Sequence, residues 1–388
     1  MKRPRLLSAL QSPHQVFGHL GPNWFAPVMG TGIVATAAAT LPVRIPGLSV
    51  FARVVWVLAA ATLLAVVLAM AVHWIRHPAT ARSHVYNPQM AHFYGAAPMA
   101  LLTVGAGALL TGKPLLGEHV AIRLDWVLWT AGTVGGLFTA VVVPYVMFTQ
   151  HNVESDGAFG GWLMPVVPPM VSAATGALLI PHAGSGSGPA TLLYGCYAMF
   201  GLSLFASIII ITMIWSRLTH FGSSGTARVP TLWIVLGPLG QSITAAGLLG
   251  SAAPLAVTPD VAAGLRVFAV IFGVPIWGFA VLWIALATAL TVRTLRAGMP
   301  FALTWWSLTF PVGTFVTGTT QLAVHTDLPA FRVGAVAAFA GLLFTWCLVA
   351  IRTAMGSIRG HLFLPPPAAA PIKAGKGPAR RNLNSPTP

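Results

Sequence analysis

Ten apolar stretches follow one another along the chain, separated by short polar breaks. They cover roughly 23–41, 50–75, 92–111, 125–148, 162–180, 190–215, 229–250, 261–292, 302–324 and 329–354. About 20 apolar residues in a helix cross a hydrocarbon layer of roughly 30 Å. Inside that layer a helix satisfies its own backbone groups, so all ten stretches are expected to be helices. The pattern predicts an all-α membrane protein with ten transmembrane helices.

The odd-numbered stretches share a second pattern. They read "PNWFAPVMGTGIVATA", "AHFYGAAPMALLTVGAG", "GWLMPVVPPMVSAATGAL", "TLWIVLGPLGQSITAAG" and "TWWSLTFPVGTFVTGT". Each has aromatic residues near its start, then a proline, then small residues rich in Gly, Ala, Ser and Thr. The prolines, Pro27, Pro98, Pro168, Pro238 and Pro311, stand 71, 70, 70 and 73 residues apart. That period fits one helical hairpin repeated five times. Repeats running the same way are related by an axis along the membrane normal. The even-numbered stretches are richer in Leu, Val, Ile and Phe. The expected architecture is therefore an inner ring of proline-kinked odd helices around a central pore, with even helices outside facing lipid.

Composition sharpens the membrane reading. Of 388 residues, 56% are hydrophobic and only 7% charged, and the mean hydropathy is +0.79. Such a chain has too few charges to cover a soluble surface. The net charge of +15 does not point to nucleic acid, because the bases sit at helix ends and in the tails. Fifteen of the 21 Lys and Arg fall on the side shared by the two ends of the chain, and the positive-inside rule places both termini in the cytoplasm. The acidic loop "QHNVESDGAFGG" runs against that trend. Residues 1–22 are expected to be a cytoplasmic tail, 23–354 the membrane domain, and the Pro- and Ala-rich 355–388 a disordered cytoplasmic tail. The setting expected is the inner membrane of a bacterial-type cell.

Candidate chemistry is sparse. Cys196 and Cys347 stand alone in apolar runs, without metal or disulfide spacing. No acid lies near the middle of a stretch, the histidines sit near helix ends, and no cofactor motif is present. An embedded enzyme is therefore not expected. Hydroxyls and amides remain for a passing solute: Thr31, Thr36, Thr103, Ser172, Thr175, Gln241, Ser242, Thr244, Thr314 and Thr317. Hydroxyls serve either sign of charge. Arg53, Arg123, Arg266 and Arg332, near the outer ends of even helices, suggest a basic mouth that attracts anions, although such arginines equally reach lipid headgroups or pair with acids.

"NWFAPVMGTGI", "WLMPVVPPMVSAATGALL", "GPLGQS" and "WWSLTFPVGTF" resemble the tellurite-resistance/dicarboxylate transporter family, related to the plant slow-type anion channels. The likeness runs from about Asn23 to Arg352, and "MGTG" and "WWSLTFP" are most similar to the malic-acid transport and sulfite-efflux branch. It implies five hairpins around a pore, subunits assembled as trimers with one pore each, and transport of a small anion such as malate, or of sulfite or a tellurite-type oxyanion. It also implies a phenylalanine that plugs the pore from the ninth helix, and the motif "TFP" assigns that role to Phe310. No long N-terminal domain of the kind used by the plant channels for phosphorylation control is expected.

Overall fold

A computed structural model describes residues 7–10, 12–223, 225–226 and 228–364. Among these, helix occupies every apolar stretch marked out in the sequence, and no strand occurs. In chain order the α-helices are α1 (Phe25–Thr40), α2 (Leu48–Arg76), α3 (Pro78–Tyr86), α4 (Ala96–Gly107), α5 (Lys113–Leu116) and α6 (Glu118–Gln150). They continue with α7 (Pro168–Gly176), α8 (Gly188–Phe221), α9 (Leu236–Ala252), α10 (Pro259–Arg296), α11 (Phe310–Thr326) and α12 (Pro329–Arg359). Seven helical stretches among the described residues are long and apolar enough to cross a membrane.

The repeated prolines do not kink the middle of a helix, as expected, but mark where one begins. The aromatic residues before each proline form a 3-10 stretch: Pro22–Trp24, Ala91–Gly95, Gly160–Leu163, Val229–Val235 and Leu303–Leu308. Pro27, Pro98, Pro168, Pro238 and Pro311 then fall within the first three residues of α1, α4, α7, α9 and α11. Proline suits that place, because a first-turn residue has no intrahelical acceptor for the N–H that proline lacks. Each inner segment is thus a 3-10 helix joined to a short α-helix.

These five α-helices form a closed ring, in which α1 packs on α4, α4 on α7, α7 on α9, α9 on α11, and α11 back on α1. Glycines set the spacing. A Cβ on Gly240 would come within 2.4 Å of the Thr314 backbone, and one on Gly32 within 2.7 Å of the Thr103 side chain. Each inner helix also packs on the long helix that follows it: α2, α6, α8, α10 or α12. Tryptophans on these outer helices bond inward. Trp56 donates to the Val104 carbonyl (2.9 Å), Trp129 to that of Ser172 (2.9 Å) and Trp283 to that of Leu232 (2.8 Å).

Burial separates the two layers. The most apolar window of Val229–Leu255 is 89% buried, whereas that of Pro259–Arg296 is 22% buried. The outer helices present large apolar side chains such as Phe138, Phe205, Ile271 and Phe344 away from the protein. A surface of that kind is stable in lipid and not in water.

The ends of the described chain are more ordered than expected. Helix α12 continues past 354 to Arg359 and ends at Gly360, whose φ of 86° is a left-handed helix stop. Phe363 then stacks on Trp24, with centroids 5.1 Å apart. Leu7 N–H donates to the Ile358 carbonyl (2.7 Å) and Ala9 N–H to that of Arg359 (2.9 Å). Residues 7–10 and 358–360 are tied together by these backbone bonds, and a Cβ on Gly360 would meet the Leu10 side chain at 2.9 Å. The tail readings for 1–6 and 365–388 lie outside the described residues.

Candidate functional site

The helix ring encloses a chamber of about 60 Å³, room for a few waters, and all five inner segments wall it. The lining side chains follow one spacing. Ile33, Thr36 and Thr40 come from α1; Thr103, Ala106 and Leu110 from α4 and its continuation; Val171, Ala174 and Leu178, with Thr175, from the α7 segment; Gln241, Thr244 and Leu248 from α9. Each set is an i, i+3, i+7 stripe, one face of a helix. On α11 the stripe is Phe310, Thr317 and Gln321. Thr314, which would fill its middle rung, instead lies 3.0 Å from the Leu236 carbonyl of α9 and 2.7 Å from the Pro311 carbonyl.

Phe310 differs from the rest of the wall. It is 2% exposed, and it is the one lining residue that precedes its segment's proline. All others follow theirs by three residues or more. The aromatic ring therefore stands at the amino end of the chamber.

The wall is polar in name more than in effect. Thr36 donates to the Ile33 carbonyl (3.1 Å), Thr40 to that of Thr36 (2.8 Å), Thr103 to that of Met99 (2.5 Å) and Thr175 to that of Val171 (2.9 Å). The Thr244 and Thr317 hydroxyls bond each other at 2.8 Å and reach the carbonyls of Gly240 (2.9 Å) and Thr314 (3.1 Å). No Lys, Arg, Asp or Glu faces the space. Methyl groups, hydroxyl lone pairs and the amides of Gln241 and Gln321 do.

The family model for the voltage-dependent anion channel matches residues 19–354. The chain belongs to the voltage-dependent anion channel family. It is a multi-pass membrane protein, and its family and named relatives are channels and transporters. A sulfite efflux pump of Trichophyton rubrum is 27% identical over 350 residues, covering 88% of this chain and 92% of the relative. An uncharacterized transporter of Methanocaldococcus jannaschii is 25% identical, covering 92% and 99%. The malic acid transport protein of Schizosaccharomyces pombe is 22% identical, covering 84% and 76%.

Of the ten polar residues singled out for the wall of this anion channel relative, Thr36, Thr103, Thr175, Gln241, Thr244 and Thr317 line the chamber. The other four do not. Thr31 turns outward and accepts a bond from Trp346 (3.2 Å), Ser242 donates to its own helix at the Leu239 carbonyl (2.8 Å), and Ser172 and Thr314 are fully buried between helices. Thr31, Ser172 and Ser242 sit off the stripes of their helices, whereas Thr314 is on its stripe and is drawn to the Leu236 carbonyl. Thr40 and Gln321 are wall residues not anticipated, although both continue an i, i+4 step from Thr36 and Thr317.

The four arginines also stand apart. Arg53, Arg123, Arg266 and Arg332 lie on α2, α6, α10 and α12, and none lines the chamber. Arg332 is ion-paired with Asp327, and Arg266 lines a lateral groove with Ser251 and His325. Asp125 corrects the expectation that acids stay at the ends. Helix α6 begins seven residues before it, at Glu118, so Asp125 is inside the helix and 0% exposed. Its Oδ1 would meet a Cβ on Gly105 at 2.6 Å. An acid inside an apolar helix was the signal for it.

Proposed function

We propose that this chain carries a small anion across a bacterial-type inner membrane through the chamber, with Phe310 as the plug. The observation that supports this most is a closed ring of five helices around a space that one aromatic ring terminates. A phenyl group across a narrow, methyl-lined passage excludes water and so excludes ions, and a change of its rotamer reopens the path. Ten crossings in five hairpins fit the ring and its outer layer. The hydrogen bonds between 7–9 and 358–359 support a reading in which both chain ends lie on one side of the bundle, as an even number of crossings requires. The positive-inside charge balance makes that side cytoplasmic. Trimeric assembly is the family expectation, tested by the mass of the detergent-solubilised protein.

The relatives named for sulfite efflux and malic acid transport make a small oxyanion or dicarboxylate the first solute to try. The test is anion flux into proteoliposomes, with wild type beside Phe310→Ala and Phe310→Leu. If the ring must be moved aside at a cost of about 1.4 kcal/mol or more, Phe310→Ala raises flux about tenfold or more. Phe310→Leu, which keeps most of the packing, falls between. Equal flux in all three proteins removes Phe310 as the plug.

A further inference from the structure

The wall of the chamber is short of protons to donate. A threonine hydroxyl has one proton and two lone pairs. The protons of Thr36, Thr40, Thr103 and Thr175 already go to carbonyls of their own helices. Thr244 and Thr317 share two protons among three bonds, one between them and one to each helix. Nothing is left over at that pair, and it faces the chamber as an acceptor only.

Gln241 has the opposite character. It is 4% exposed, lines the chamber, and its Oε1 is buried without a hydrogen-bond partner among the described residues. A carboxamide brings two N–H donors. The amide can turn over to put Nε2 where Oε1 lies, and burying either without a partner is costly, so its place calls for something to bond. Gln241 precedes Thr244 by three residues on α9, about 4.5 Å of helical rise, so a molecule of a few atoms reaches both.

We infer that Gln241 and the Thr244–Thr317 pair form a solute site selecting an oxyanion that still carries an acidic proton. Gln241 donates an N–H to the charged oxygen, and the threonine pair accepts the O–H. Halides and nitrate can only accept, so they satisfy Gln241 and leave the threonine pair facing an anion with its lone pairs. The selected class is the singly ionised form of a diprotic acid. This rests on the transport reading given above and adds the residues that choose the solute.

Hydrogen sulfite and nitrate make the test, since both are small single-charged oxyanions with three oxygens and differ in the proton. The full chain in detergent is heated with each anion at a pH where sulfite is singly ionised. Hydrogen sulfite raises the unfolding midpoint of wild type more than nitrate does at equal concentration, Thr317→Val narrows that difference, and Gln241→Leu lowers the shift from both anions. In Phe310→Ala proteoliposomes, Thr317→Val lowers hydrogen sulfite flux about tenfold or more while nitrate flux changes little. Leucine at 241 loses no protein hydrogen bond, Thr317→Val keeps the shape, and Thr244→Val repeats the test on the other member of the pair if Thr317→Val folds poorly. A Thr317→Val that shifts both anions alike, or a Gln241→Leu that shifts neither, overturns the site. If no anion crosses but the stabilisation by hydrogen sulfite remains and depends on Gln241, the site stands and the transport reading falls.

Discussion

Asp125 has both carboxyl oxygens buried without a hydrogen-bond partner among the described residues, and it is the acid most enclosed by apolar helix. No described basic group is ion-paired with it. Asn has the same shape, so Asp125→Asn should keep unfolding stability within about 1 kcal/mol and leave anion flux unchanged. If flux instead loses its response to a pH gradient, the carboxyl takes part in moving protons. Gly240 makes a harder demand, because a methyl group there would sit 2.4 Å from the backbone of Thr314. Gly240→Ala must push α9 and α11 apart, and a loss of about 1–3 kcal/mol is expected in thermal unfolding. The sequence pointed to six of the polar residues of the wall, missed Thr40 and Gln321, and did not show which of the ten singled out face inward. Thr31 and Thr36 look alike as letters; only Thr36 sits on the chamber face of α1.

That failure has its cause in the elements. Thr31, Ser172, Ser242 and Thr314 all lie inside their α-helices, where residue type alone carries no information on the phase of the 3.6-residue turn. Traced from inside each α-helix, the stripes 33/36/40, 103/106/110, 171/174/178 and 241/244/248 share one spacing. The prolines were legible as a repeat and misread as mid-helix bends, because only the chain's own geometry shows that helix restarts there. Helix α3 carries a different kind of dependence. Its His84 ring lies 5.5 Å from that of His73, and burial, then the neighbouring His73 and His19, hold His84 below its ordinary 6.5. The fold thus favours the neutral ring, and this contribution to stability is whole above pH 6.5 and is lost as the pH falls below it. Between about pH 7 and pH 5, wild type should lose more of its melting temperature than His84→Gln, which cannot charge. An equal loss in both proteins would free α3 from that role.

At the scale of the molecule, the layer arrangement was the most legible feature. A period near 70 residues, small residues on odd segments and bulky ones on even segments point to an inner and an outer layer, and the burial of the two layers follows. The arginines misled because a charge near a helix end says nothing of whether it faces the axis or the lipid. The source of preference for negative charge is then the backbone. Five inner α-helices start at buried residues, Phe25, Ala96, Pro168, Leu236 and Phe310, and the chamber lies toward their carboxyl ends from there. An α-helix carries roughly half a positive charge at its amino end. The 3-10 stretches before them take up those first N–H groups and continue each helix outward, so five helices together set a positive field at the amino mouth of the chamber, built from peptide dipoles alone. No substitution of a side chain on the wall can neutralise it, so variants that change which anion passes should leave intact the rule that it is an anion.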